Sequence, residues 1–337
     1  MSKQKKISIK DIAKIAGISV SSVSRILNKT GRYSKETEQR VLQIVDEYGY
    51  VTNMAAKSLR SLQSKSIGLM VPDITNEFFS KIAYFCETYL HKKGYTLFIC
   101  NTNTDPNKEY IYLNDFVSKN IDGIIAISHL TKIPKSLLNA NIPIVTLDRV
   151  STIKKNIPYV ISDEHTGIYK STELLIKKGC KSIIVIIPGN NNFLDPRALG
   201  AMKAMQNYNI PFNPQKSLFF INISEQSISN SETLMFKLLN NNISIDGVVC
   251  GSDKIALGVS YAINKHNLKI PQDIKIIGFD NTLYSKLSIP PISTVERNSQ
   301  LLSESACNIL LNLINKTNYN ITSTIIPTKL IQRESTK

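Results

Sequence analysis

From residue 67 to residue 279 the chain repeats one alternation, a short apolar, β-branched run followed by an amphipathic stretch. The runs fall at 67–71, 96–100, 123–127, 142–147, 182–187, 247–250 and 275–279. Stretches with one apolar helical face lie near 78–92, 108–119, 166–178, 197–208, 231–239, 255–266 and 300–314. A strand that is apolar at every position is buried on both faces, which is the condition of a parallel sheet covered by helices on either side. The pattern predicts an α/β core of parallel sheets, long enough for two lobes with a cleft between them. Ligands of such sheets bind beyond the carboxyl ends of the strands.

The first 65 residues have a different texture. Ser8 can cap a helix, and Asp11 three residues later completes a capping-box pattern, with Ile9, Ile12, Ala13 and Ala16 on one face. Gly17 supplies the left-handed residue that ends this helix, and Ser19 caps the next. In the second helix Val23, Ile26 and Leu27 point inward, which leaves Val20, Ser21, Ser24 and Arg25 outward. An apolar back and a short polar front suit a helix that enters a DNA major groove. Any small helical hairpin has one apolar face, so spacing alone leaves that reading open. Ser34 can cap a third helix over 35–47, whose Val41, Leu42, Ile44 and Val45, with Tyr48, would close a small core. A polar, Ser-rich run from Arg60 to Ser66 reads as a linker.

Charge follows the same division. Of a net +15 over 337 residues, +8 lies within residues 1–65. Lysine and arginine displace condensed counterions from DNA, so a basic headpiece suits phosphate binding. Five cysteines stand singly with no Cys-x-x-Cys pair, which argues against a disulfide framework or structural zinc. No apolar run reaches membrane-spanning length, and no apolar segment follows the basic N-terminus, so the expectation is a cytoplasmic protein without membrane association. No Gly-x-Ser-x-Gly elbow, phosphate loop or metal-ligand cluster appears, and the four histidines are dispersed. Neither an enzyme nor a metal or other cofactor is expected.

Asp11-Ile12-Ala13, Ala16-Gly17-Ile18-Ser19 and Val23-Ser24-Arg25-Ile26-Leu27-Asn28 resemble, in register, the headpiece signature of the LacI/GalR family of bacterial transcription regulators, with Ser22 where the family usually has Thr. The core is similar too, at Ile67–Phe79, at Val145-Thr146-Leu147-Asp148-Arg149, at Gly251–Gly258 and at Ile277-Gly278-Phe279-Asp280-Asn281. Gly179-Cys180-Lys181 departs from the usual Gly-His-Arg or Gly-His-Lys. The resemblance implies a helix-turn-helix headpiece over 1–51, a hinge helix and linker over 52–65, and a two-lobed core of the periplasmic-binding-protein type I fold over 66–337. It also implies a homodimer that binds a pseudo-palindromic double-stranded operator and answers to a small-molecule effector, a sugar or sugar derivative. The chain stops soon after a last strand-like run at 324–331, so a dimer is expected rather than a tetramer.

By position Val20, Ser21 and Arg25 approach base edges, with Arg25 suited to a bidentate contact to guanine. Ser19, Ser22 and Asn28 are better placed for phosphates. The resemblance assigns residues 53–59 to the hinge helix. There Asn53, Ala56 and Leu59 match, Lys57 replaces Arg, Thr52 replaces Pro, and Leu59 would wedge between base steps in the minor groove. For the effector, Asp148, Arg197 and Asp280 lie just beyond predicted strands or at the start of the next helix. The resemblance gives the two aspartates ligand hydroxyl or amine groups and gives Arg197 a fork to ligand oxygens. Asn76, Phe78, Phe79 and Ser252 complete the expected effector set. An aromatic that stacks on ligand in many relatives is here Ile223, with Phe219 or Phe220 as substitutes. Two other readings remain open, a catabolite-control regulator with a protein corepressor and a nucleobase-responsive repressor.

Overall fold

The computed structural model describes residues 7–50, 63–153, 157–189, 192–221, 226–241, 243–317 and 323–337. Asn53, Ala56, Lys57 and Leu59, with the rest of the expected hinge helix, and Ile223 lie outside the described residues. The chain divides into two compact units, Met1–Ser64 and Lys65–Lys337.

The first unit holds α1 (Ile9–Ala16), α2 (Val20–Leu27) and α3 (Lys35–Glu47). The capping box forms: Asp11 N–H donates to Ser8 Oγ at 3.3 Å, and Ser8 N–H donates back to the Asp11 carboxylate at 2.9 Å. Gly17 adopts φ 63°, and Ser19 Oγ accepts from Ser22 N–H at 3.1 Å. Ile12, Ala13, Ala16, Val23, Ile26, Val41 and Ile44 make the core. Leu42 and Tyr48 do not join it and stay exposed. Leu42 lies about 100° round the helix from Val41, and Tyr48 is already the C-cap residue. Val20 is not free either; it packs in part against this core.

The second unit is built on two six-stranded sheets. The first contains β1 (Ser66–Val71), β2 (Thr96–Asn101), β3 (Gly123–Ala126), β4 (Ile144–Leu147), β5 (Tyr159–Ser162) and β11 (Thr324–Ile326), in the order β11-β5-β4-β3-β1-β2, all parallel. The second contains β6 (Ile183–Pro188), β7 (Leu218–Ile221), β8 (Gly247–Cys250), β9 (Lys275–Phe279), β10 (Ser293–Arg297) and β12 (Thr328–Ile331), in the order β12-β10-β9-β8-β6-β7. Here only β12 runs antiparallel. Each sheet carries an apolar cluster on both faces. In β1, Ile67, Leu69 and Val71 enter one core cluster and Met70 the opposite one. Gly68 leaves the space that the Phe116 ring fills, since a Cβ there would stand 2.6 Å from it.

Three strands escaped the sequence pattern: β5, β7 and β10. Each is short and carries polar or aromatic residues, so none reads as an aliphatic run. The single run expected at 324–331 is two strands, one in each sheet, divided at Pro327. Strand β2 was expected to be buried on both faces; it is an edge strand with Phe98 and Ile99 exposed.

Candidate functional site

Because nearly all the strands are parallel, their carboxyl ends lie along one edge of each sheet, and side chains from the two edges meet. Asp148 follows β4 of the first sheet and Asp280 follows β9 of the second. Both sit in left-handed backbone, at φ 69° and φ 103°. Non-glycine residues occupy this region at a cost and are enriched where surrounding structure fixes a functional turn. Asp253 supplies part of that fixation. Its carboxylate, 1 % exposed, accepts from Thr282 N–H at 2.7 Å, Thr282 Oγ1 at 2.8 Å and Thr294 Oγ1 at 2.6 Å, tying down the turn that carries Asp280.

Arg297, the last residue of β10, joins the two aspartates. Its Nε donates to Ser162 Oγ at 2.9 Å and its Nη1 to Asp280 Oδ1 at 3.3 Å, while Nη2 meets Asp148 Oδ1. Glu164 Oε1 lies 3.7 Å from the same Nη2. The guanidinium stacks on Phe78, 3.7 Å from the ring centroid, so a cation–π contact adds to the ion pairs. One buried cation thus links residues of both lobes. At the rim Glu77 accepts from Leu283 N–H at 2.7 Å and Lys254 lies 3.8 Å from Asp73, further contacts between the lobes.

Arg197 is held beside this cluster. Its Nε and Nη2 fork onto Asp195 at 3.1 and 3.0 Å, and Glu164 Oε2 is 3.6 Å from Nε. Asp195 also caps the helix Pro196–Asn207. The fork expected for ligand oxygens is therefore engaged within the chain. Gly200 makes the placement possible: a Cβ there would stand 2.3 Å from the His165 carbonyl oxygen on the neighbouring helix Glu164–Lys177. Gly200→Ala is expected to lower unfolding stability by ~1–3 kcal/mol, read from urea denaturation, because the helices must separate.

Burial pushes the Asp280 carboxyl well up; Asp253 and Glu164 add to the shift, while Arg197 opposes it. Burial also raises Glu164, against the pull of Arg197. The Arg297 guanidinium is pushed down to about 9 by burial, which leaves it protonated at neutral pH beside its carboxylates.

The remaining expected residues take mixed positions. Asn76 caps the helix Glu77–Lys92, its Oδ1 accepting from Phe78 N–H at 3.0 Å. Phe78 and Phe79 meet edge to face and both are buried in the first lobe's core, but it is Phe78 that carries Arg297 on its ring. Ser252 caps the helix Asp253–Lys265 by accepting from Ile255 N–H at 3.3 Å. Phe220, at the end of β7, packs edge to face on Phe193 at 5.6 Å. Among the described residues, no group of His, Cys, Asp and Glu is placed to hold a metal ion.

In the first unit Ser21 and Arg25 are exposed on α2. Ser19 Oγ lies 2.7 Å from Ser21 Oγ and 2.9 Å from Ser22 Oγ, so three hydroxyls cluster at the helix N-terminus. Asn28 Nδ2 donates to the Ser24 carbonyl at 2.8 Å, which ties its side chain to the helix end.

The family model for bacterial regulatory proteins of the lacI family matches residues 8–53, and the model for periplasmic binding proteins and the sugar-binding domain of the LacI family matches residues 64–334. The chain belongs to the LacI family. Among LacI-family relatives, the ribose operon repressor of Halalkalibacterium halodurans is 34 % identical over 98 % of this chain and 97 % of its own. A transcriptional repressor PurR of Histophilus somni is 33 % identical over 98 % of each chain. A lac repressor dimer bound to operator and an anti-inducer superposes with a TM-score of 0.85 at 21 % identity, covering 98 % of this chain and 99 % of the other, and so shares the fold.

Sequence reasoning missed Arg297, Glu164 and Asp195. A signal existed for Asp195, since an aspartate before Pro196 at a helix start reads as a cap. Arg297 gave none, because its strand was not recognised.

Proposed function

We propose that this LacI-family protein is a cytoplasmic, non-enzymatic repressor whose homodimer grips a pseudo-palindromic operator and is controlled by a sugar or sugar derivative held between the lobes. The observation that carries the reading is the bridge from Asp148 through Arg297 to Asp280, which puts polar groups of both lobes within reach of one small molecule. A polyhydroxylated ligand both donates and accepts, and so matches carboxylates set beside guanidiniums. Effector binding must favour one arrangement of the lobes over another to change operator affinity. In this reading Ser19, Ser22 and Asn28 hold the DNA backbone, and Asn53, Ala56 and Lys57 belong to the hinge helix, where Ala56 allows close approach to the DNA. Val20, Ser21 and Arg25 read bases, and Leu59 wedges into the minor groove. Asn76, Phe78, Phe79, Asp148, Arg197, Ser252 and Asp280 belong to the effector site. The ribose operon repressor named above supports the sugar class, and the operator-bound dimer supports the assembly.

The test selects a binding site from random DNA with the purified protein and maps it by nuclease protection, with and without added sugars and purines. The expected footprint is symmetric, weakens steeply as salt rises, and is lost on addition of a sugar. An asymmetric footprint would contradict the dimer. A response to purines alone would replace the sugar with a nucleobase, the reading that the PurR relative favours. In the same assay Leu59→Ala is expected to reduce operator bending, measured by gel mobility of circularly permuted fragments.

A further inference from the structure

We propose that Arg297 sets the charge class of the effector: it offsets part of the charge of Asp148 and Asp280 from within and leaves no cation for a ligand, so that the cleft accepts an uncharged polyol and rejects its anionic derivative. The inference rests on the sugar reading above. An arginine in a sugar cleft invites the opposite assignment, as an anchor for a phosphate or carboxylate. The geometry points away from it, because each of the three guanidinium nitrogens already faces an acceptor of the chain: Ser162 at Nε, Asp280 at Nη1, Asp148 and Glu164 at Nη2. Its flat face is covered by Phe78, and its side chain is 6 % exposed.

Arg197 in the same cluster is engaged at Nε and Nη2 by Asp195 and at Nε by Glu164. Four carboxylates, Asp148, Glu164, Asp195 and Asp280, thus lie around Arg297 and Arg197, and the partly buried Arg149 nearby is offset by Glu109 and Glu164, so the cluster has no spare positive charge to offer an anion. Both contacts of Arg297 with the aspartates fall on Oδ1, so Oδ2 of each is the oxygen left for a ligand. A carboxylate ionised beside a guanidinium accepts and does not donate, so the free oxygen of Asp148 demands a hydroxyl or amine donor, while Asp280, whose carboxyl burial pushes up, pairs with a hydroxyl in either protonation state. Arg297 acts through the aspartates, as a positioning residue that fixes their rotamers and compensates their charge.

Removing that charge while keeping an amide donor should change which ligand is preferred, and a packing role would not do so. Calorimetric titration of the full-length protein would use sets of related ligands: D-glucose, D-glucosamine and glucose 6-phosphate; D-galactose and D-galactosamine; D-ribose and ribose 5-phosphate. The wild type is expected to bind a neutral member at least tenfold more tightly than its phosphate ester. In Arg297→Gln the affinity of the amino sugar relative to its neutral partner should rise at least tenfold, because the ligand's ammonium now supplies the missing charge. Arg297→Lys should keep the wild-type ratio.

If Arg297→Gln fails to fold, Asp148→Asn carries the test in the opposite direction, with the phosphate ester gaining at least tenfold on the neutral sugar. Equal weakening of amino and neutral sugars in Arg297→Gln, or an unmoved ratio in Asp148→Asn, overturns the proposal and leaves the sugar reading intact. Tighter wild-type binding of a phosphate ester also overturns the proposal alone. A folded wild type that binds no member of the panel overturns the sugar reading and the proposal with it.

Discussion

Arg25→Ala is expected to lose roughly 10- to 100-fold of the discrimination between selected operator and random DNA, the equivalent of about 1–3 kcal/mol for one bidentate base contact. Arg25 is exposed in the last turn of α2, and its stem lies near Gly31, where a Cβ would stand 3.5 Å from Arg25 Cδ. Gly31 has φ 80°, and the turn it makes clears the space beside that stem. The guanidinium has no ion-pair partner among the described residues, unlike Arg197 and Arg297. Its donors are therefore available without first breaking a bond. Competition binding against random DNA separates the two possible roles. A base-reading arginine costs operator affinity far more than non-specific affinity, whereas a phosphate-binding one lowers both together and reduces the salt slope by about one. Equal loss on both DNAs would move Arg25 from base reading to backbone contact.

The headpiece was legible because its information is local. Capping boxes, a left-handed glycine and the 3.6-residue stripe are set by neighbours in sequence, and Ser8, Asp11, Gly17, Ser19 and Ser34 take the positions expected of them. Leu42 and Tyr48 show the limit of that reading, since apolar character alone does not fix the side of a helix. In the core, the aliphatic strands β1, β3, β8 and β9 announce themselves, while β5, β7 and β10 do not. They are strands because a parallel neighbour completes their hydrogen bonds, a condition met only once the sheet exists. That is why Asp148 and Asp280, at the ends of legible strands, could be named from sequence and Arg297, at the end of an illegible one, could not. The pairing of Arg197 with Asp195 and Glu164 divides along the same line. Asp195 lies two residues away, but Glu164 reaches Arg197 only through the helix contact that Gly200 permits.

Arg197→Ala is expected to abolish release of the operator by effector while a ligand-free protein still binds it, and to destabilise the core in a pH-dependent way. The side chain separates two carboxylates, Asp195 and Glu164, at 3.0 and 3.6 Å, and all three groups are largely buried. Breaking a buried pair by removing one partner costs about 3–5 kcal/mol, since the remaining charge stays out of water uncompensated. The sign with pH follows from Glu164. Burial already holds its carboxyl above the ordinary range, and Arg197 is the strongest influence pulling it back. Without Arg197 it rises further, so the folded mutant binds a proton that the unfolded chain has released. Stability is then greatest below the ordinary carboxylate range and falls as pH rises through the elevated value. Urea denaturation at a series of pH values should therefore show the deficit of Arg197→Ala widening from mildly acid to mildly alkaline solution. Arg197→Lys restores one charge without the fork onto Asp195, so it should recover most of the stability but only part of the effector response, because Asp195 and Glu164 are then held by a single point charge. A deficit that does not change with pH would mean that Arg197 contributes through packing of its stem and not through its charge.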